Sequence, residues 1–193
     1  MTSGSHTSLP GPLHSPGASR PFKIMGGLAG LLVLLVVGGL LLPGTWSAHR
    51  TAVFRAPAEE IFPYLDTPAR WDRWTPWGEV ESELEGPARG PGARRSWSHP
   101  EQGEGFLEIV ATDPPREVRY RVQVDGGAIR MEGRLRLEEV RDGTRVAWEE
   151  KGDFGWNPIL GYMALTMERS QGAQMSRSLE RLRDAVRGGG PGS

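Results

Sequence analysis

Residues 144–187 join two patterns that each require the other. From Thr144 to Glu150 the chain alternates, with Val146, Trp148 and Glu150 on one side and Arg145, Ala147 and Glu149 on the other. That is the period of a strand with one buried face. Asn157-Pro158 then reads as a helix start, because Asn can cap free backbone donors and Pro at the first helical position gives up no hydrogen bond. At 100° per residue, Leu160, Ala164, Met167, Met175, Leu182 and Val186 share one stripe, and Arg169, Glu180, Arg183, Asp184 and Arg187 lie opposite. A helix this long and one-sided needs a broad apolar sheet to lie on.

The upstream chain supplies that sheet. Ala48 to Ala56 reads as a first strand, Pro57 opens a short helix to Leu65, and Asp66-Thr67-Pro68 introduces a second one that Pro76 ends. Strand patterns follow at about 79–84, 93–99, 105–112, 117–125 and 130–139, punctuated by turns such as Asp113-Pro114-Pro115. Short strands so spaced predict an antiparallel meander. Val118, Tyr120, Val122 and Val124 oppose Arg119 and Arg121, while Met131, Leu135 and Leu137 oppose Glu132, Arg134, Arg136 and Glu138. One sheet face is therefore apolar and the other wet and charged.

Ahead of this domain, Ile24 to Leu42 carries no charge and closes at Pro43. At 1.5 Å per residue it spans roughly 28 Å, close to a bilayer's hydrocarbon core, which predicts a membrane-spanning helix over 23–43. The run is longer than the apolar part of a signal peptide, and Thr45-Trp46-Ser47-Ala48 is a poor cleavage site. Arg20 and Lys23 abut the run on its amino side, which favours a cytoplasmic tail and a domain beyond the membrane. Gly26 and Gly30 form a Gly-x-x-x-Gly spacing that permits close helix approach. Residues 1–22, rich in Ser, Gly and Pro, read as a disordered tail, 47–187 as the folded domain, and 188–193 as a flexible end.

Composition excludes several functions. With no cysteine, a thiol nucleophile, disulfides and cysteine-ligated zinc are ruled out. Of four histidines, His6 and His14 fall in the tail, leaving His49 and His99, too few for a multi-histidine metal site. A formal net charge of -1 without a polybasic run gives no basis for nucleic-acid binding. No metal or cofactor site is expected.

Strand, two small helices, six further strands and a long terminal helix is the order of a helix-grip fold. Ala56-Pro57-Ala58-Glu59-Glu60-Ile61-Phe62 and Asp66-Thr67-Pro68-Ala69-Arg70-Trp71-Asp72-Arg73-Trp74 resemble the opening of the START-like SRPBCC superfamily. Gly133-Arg134-Leu135-Arg136-Leu137, Gly143-Thr144-Arg145-Val146-Ala147-Trp148 and the last helix resemble the later part of its polyketide cyclase/dehydrase branch. This resemblance implies an α+β fold, a curved antiparallel sheet of about seven strands around the terminal helix, with an apolar ligand cavity between them.

Candidate ligand-binding residues are Trp74, Trp97, Tyr120, Trp148, Glu150, Met167 and Gln171. Trp71, Trp74 and Trp77 either lock the small helices onto the sheet edge or line a cavity mouth, and Trp97 and Trp148 carry the same two readings. Trp156 can staple the start of the last helix. Glu150 falls on the apolar face, so it is either solvated at a rim near the strand end or buried and in need of a partner. Gln171, near the centre of the apolar helix stripe, also needs a partner. Gly172 beside it permits a close approach or a bend. The expected function is a membrane-tethered domain that binds a lipid-like or polyketide-like molecule without turning it over. Two alternatives stand beside it: a cyclase or dehydratase with Glu150 as general base, and an interaction module whose cavity is filled by its own side chains. The sequence leaves the oligomeric state open.

Overall fold

The computed structural model describes residues 19–76, 80–100, 103–155 and 158–189; Trp77, Trp156, Asn157 and most of the amino-terminal tail lie outside the described residues. Helix α1 (Ser19–Leu41) contains Ile24–Leu41, whose mean hydropathy of 2.5 and length suffice to cross a membrane. Beyond it come β1 (Thr45–Phe54), α2 (Ala58–Leu65) and a 3-10 helix over Pro68–Arg73. Six further strands follow: β2 (Ser82–Glu85), β3 (Arg94–His99), β4 (Gly103–Asp113), β5 (Glu117–Val124), β6 (Ile129–Val140) and β7 (Gly143–Asp153). Helix α3 (Pro158–Gly188) completes the chain.

The strands form one antiparallel sheet in the order β1-β7-β6-β5-β4-β3-β2. The first strand thus returns to pair with the last, which encloses the face on which α3 lies. Two local boundaries differ from expectation. β1 begins at Thr45 rather than Ala48, because Trp46 and Ala48 continue the buried alternation and pair with Gly152 and Glu150 of β7. Pro57 precedes α2 as its extended cap residue, and Asp66 ends α2 instead of opening the next helix. The Asp66 carboxylate is held by the Arg89 guanidinium at 2.7 and 2.9 Å, so Thr67 becomes the cap of the 3-10 helix without a side-chain capping bond.

The two sheet faces divide as the alternation predicts. Val118, Val122, Leu135, Val146 and Trp148 are buried against Met175, Leu179 and Leu182 of α3 in one core. On the outer face Glu117 meets Arg119, Arg134 and Arg136 at 3.2, 3.7 and 3.1 Å. Such exposed pairs contribute only about 0–1 kcal/mol each, so the buried face holds the fold.

Candidate functional site

A polar cluster lies inside this core, and strand register builds it. Tyr120 of β5 pairs with Gly133 of β6, and Gly133 pairs in turn with Glu150 of β7. All three are on the inner face. A Cβ at Gly133 would overlap the Tyr120 ring, so the missing side chain lets the tyrosine lie across β6 toward the next strand. Its hydroxyl donates to Oε1 of Glu150 and accepts from Nε1 of Trp148 at 2.7 Å. From α3, Nε2 of Gln171 donates to the other Glu150 oxygen at 2.6 Å.

Glu150 is 1% exposed, so it is not the solvated rim residue that its place near the strand end allowed. Neither hydrogen-bonding partner is charged. Burial pushes its carboxyl above the usual carboxylate range, while the bonds from Tyr120 and Gln171 pull it partway back. Burial also pushes the Tyr120 phenol well up, with the neighbouring carboxylate adding to the effect. Both Glu150 oxygens and the Tyr120 hydroxyl therefore have hydrogen-bond partners, the arrangement that makes a buried carboxyl tolerable.

Aromatic rings pack round the cluster. Trp71 meets Trp74 and Tyr120 with ring centroids 4.8 Å apart in each case, and Trp74 meets Trp148 edge-on at 5.4 Å. The indole N–H groups of Trp71 and Trp74 donate to the carbonyls of Leu65 and Tyr64 at 2.9 and 3.1 Å. These tryptophans do lock the small helices, but onto the middle of the inner face rather than the sheet edge. Met167 is partly buried against the core one helical turn before Gln171. Trp97 stands apart: it belongs to β3, four strands from β7 in sheet order, and lies over Gly105 of β4. Gly172 gives close approach, since the Arg50 guanidinium fills the space where a side chain would stand.

The main open volumes flank the cluster instead of including it. A cavity of about 710 Å³ is lined by Trp46, Gly152 and Ala164 together with Thr45, Ser47 and the charged Arg130, Glu132, Lys151, Asp153 and Glu168. Gly152 lies two residues from Glu150 on the same face, about 7 Å along the strand. The Trp46 indole lies over Gly152, and its Nε1 is buried without a hydrogen-bond partner. A cavity of about 700 Å³ lies at the other end of the sheet beside Trp97, Phe106 and Arg94. Sequence reading missed Trp46 and the roles of Gly133 and Gly152. A glycine inside an alternating strand was the available signal, since it marks a close approach by something else. Among the described residues no three His, Asp or Glu side chains converge to hold a metal ion.

The model of one protein family, described as polyketide cyclase / dehydrase and lipid transport, matches residues 45–187. No curated protein sequence matches the chain. Among solved structures, a Rhodobacter sphaeroides protein is similar at a TM-score of 0.54 and 20% identity, over 77% of this chain and 95% of that one. DynU16, from the dynemicin biosynthetic locus, is similar at a TM-score of 0.54 and 15% identity, over 75% of this chain and 48% of its own. Ara h 8.0201 is similar at a TM-score of 0.51 and 16% identity, over 74% of this chain and 97% of its own. At these identities the likeness is one of fold.

Proposed function

Because the chain belongs to the family of polyketide cyclases, dehydrases and lipid-transport proteins, we propose that it binds an apolar or amphipathic small molecule and carries or presents it without reaction. The observation that carries this reading is the cavity at Trp46. Its size is that of a small-molecule site, about 300–1,000 Å³, and an indole, a bare Gly152 and Ala164 give it an apolar wall. Thr45, Ser47 and the charged Arg130, Glu132, Lys151, Asp153 and Glu168 make the rest of the lining polar, and the buried, unpaired Nε1 of Trp46 becomes available to a carbonyl or hydroxyl oxygen of a ligand that shifts the indole. Glu150, Gln171, Tyr120 and Trp148 form a polar cluster beside this cavity, two residues along β7 from Gly152.

Added fatty acid or fatty alcohol should then raise the melting temperature of the full chain in detergent, as RT ln(1 + [L]/Kd) requires, about 2.7 kcal/mol at a hundredfold excess. Trp46→Phe keeps an aromatic wall but removes the donor. One lost hydrogen bond of about 0.5–1.5 kcal/mol should weaken binding of the oxygenated ligands by roughly 2- to 10-fold and leave an alkane of equal length unaffected. Absence of any thermal shift across the series refutes the binding reading, and equal losses for alkane and alcohol refute the role of Trp46.

A second reading, a cyclase or dehydratase, is favoured by one observation, the raised Glu150 carboxyl. Both of its oxygens are already engaged by Tyr120 and Gln171, which supports carriage over chemistry.

The domain is proposed to be tethered by 24–42, with residues 1–22 as a tail, 47–187 as the folded unit and 188–193 as its end. Arg20 and Lys23 support a cytoplasmic tail and a domain on the outer side. The full chain should resist extraction by alkaline carbonate. A cysteine placed at the exposed Ala173 should react with an impermeant maleimide in intact cells. Extraction would mean that 24–42 does not anchor the chain, and labelling only after lysis would reverse the orientation.

A further inference from the structure

We infer that the start of α3 is a second membrane-contacting element, which seats the domain on the lipid surface beside α1. The inference rests on α1 being the anchor proposed above. Phe154 to Met167 runs without a charge between Asp153 and Glu168, and the first turns of α3 fall within it. On those turns Ile159, Tyr162 and Met163 are 73%, 39% and 48% exposed. Their i, i+3, i+4 spacing puts them on one helix face.

That face continues the surface of α1. Only Leu42, Pro43 and Gly44 separate α1 from β1, so the domain cannot move far from the end of the anchor. The two helices touch through small residues. A Cβ on Gly161 would meet the Gly39 carbonyl, and one on Gly38 would meet the Tyr162 hydroxyl. Small residues that let backbones approach are the usual basis of helix contact in lipid. Gly26 and Gly30 meet nothing within the chain, so α3 contacts the other end of α1.

Tyr162 also fixes a depth. Its hydroxyl donates to the carbonyl oxygen of Leu35 at 2.9 Å. Leu35 precedes Leu41 by six residues, or about 9 Å along the helix. An interfacial helix sinks its apolar face about 5–10 Å into the boundary between headgroups and acyl chains, and tyrosine is enriched at that level. The start of α3 therefore reaches the depth at which uncharged residues are required. Glu168, the first charge on α3, lines the Trp46 cavity together with Arg130 and Lys151. That cavity consequently opens at headgroup level, where an amphipathic molecule can enter from the bilayer without crossing water.

The absence of cysteine makes the test direct. Single cysteines at Ile159 and Met163, and at the exposed Ala173 and Arg177 as controls, are labelled with an environment-sensitive fluorophore. The full chain is reconstituted in vesicles of phosphatidylethanolamine and phosphatidylglycerol with and without nitroxide-bearing acyl chains. Labels at 159 and 163 should show blue-shifted emission that nitroxide lipid quenches, and those at 173 and 177 water-like emission that it does not. Water-like emission at 159 and 163 in chains that float with the vesicles overturns this inference alone. Blue-shifted emission insensitive to nitroxide also overturns it, because protein, such as a second copy of the chain, then covers the face. Chains that fail to float overturn the anchor and this inference together, and the Trp46 ligand assay is unaffected.

Discussion

Gly133→Val is expected to destabilise the domain by about 3 kcal/mol or more, although valine is the better strand former. The reason is the Tyr120 ring, which occupies the volume that any side chain at 133 would need. Overpacking of this kind costs about 1–3 kcal/mol. Moving the ring also separates its hydroxyl from Glu150 and Trp148, and each buried polar group left without a partner costs about 1–3 kcal/mol more. Urea unfolding of the full chain in detergent, followed by tryptophan fluorescence, measures the change. Combining Gly133→Val with Tyr120→Leu should recover part of the loss, since the two sites share one space and cannot act additively. A valine variant as stable as the parent would mean that Tyr120 does not bridge the strands.

Glu150→Gln should produce a gain that grows with pH. A carboxyl whose folded value lies above its unfolded value, about 4.3, favours the folded state fully only below that unfolded value. The contribution is lost as pH rises through the raised folded value. Glutamine has the same shape and no charge to bury, so its advantage should be small near about pH 4 and largest above the raised value, about 1.4 kcal/mol for each unit of elevation. Unfolding midpoints measured from about pH 4 to pH 8 should therefore fall for the parent and stay nearly level for the variant. A parent curve that rises with pH would show that a cation pairs with Glu150. The same variant separates the two functions: carriage predicts retained ligand binding, whereas a general base predicts a loss of about 10²–10⁴-fold in rate for any reaction found.

The architecture was legible because it depends on periodicity. Alternation along 117–125, 130–139 and 144–150, followed by a one-sided helix, specifies a sheet with one apolar face and the helix that covers it. The seven-stranded sheet and its charged outer face follow from those local patterns. Reading Glu150 on the apolar side needed only the parity of its position relative to Trp148. Whether it was solvated or enclosed depended on how far β1 and α3 extend over the end of β7, which no local pattern encodes.

Amino-acid order by itself determined the anchor-length apolar run, the strand and helix periods and the list of polar residues that would need partners. Tertiary structure decided which partners they found. Tyr120, Gly133 and Glu150 are separated by 13 and 17 residues, and only the pairing of β5 with β6 and β6 with β7 sets them in one row. Gln171 joins them because α3 crosses that row, while Trp97, equally apolar in sequence, is carried by the strand order to β3, next to the far edge strand. The packing of Gly161 against Gly39 likewise joins segments more than a hundred residues apart. Periodicity is a property of neighbours in the chain, and hydrogen bonding and cavity shape are properties of neighbours in space, so the first could be read from the sequence and the second required the fold.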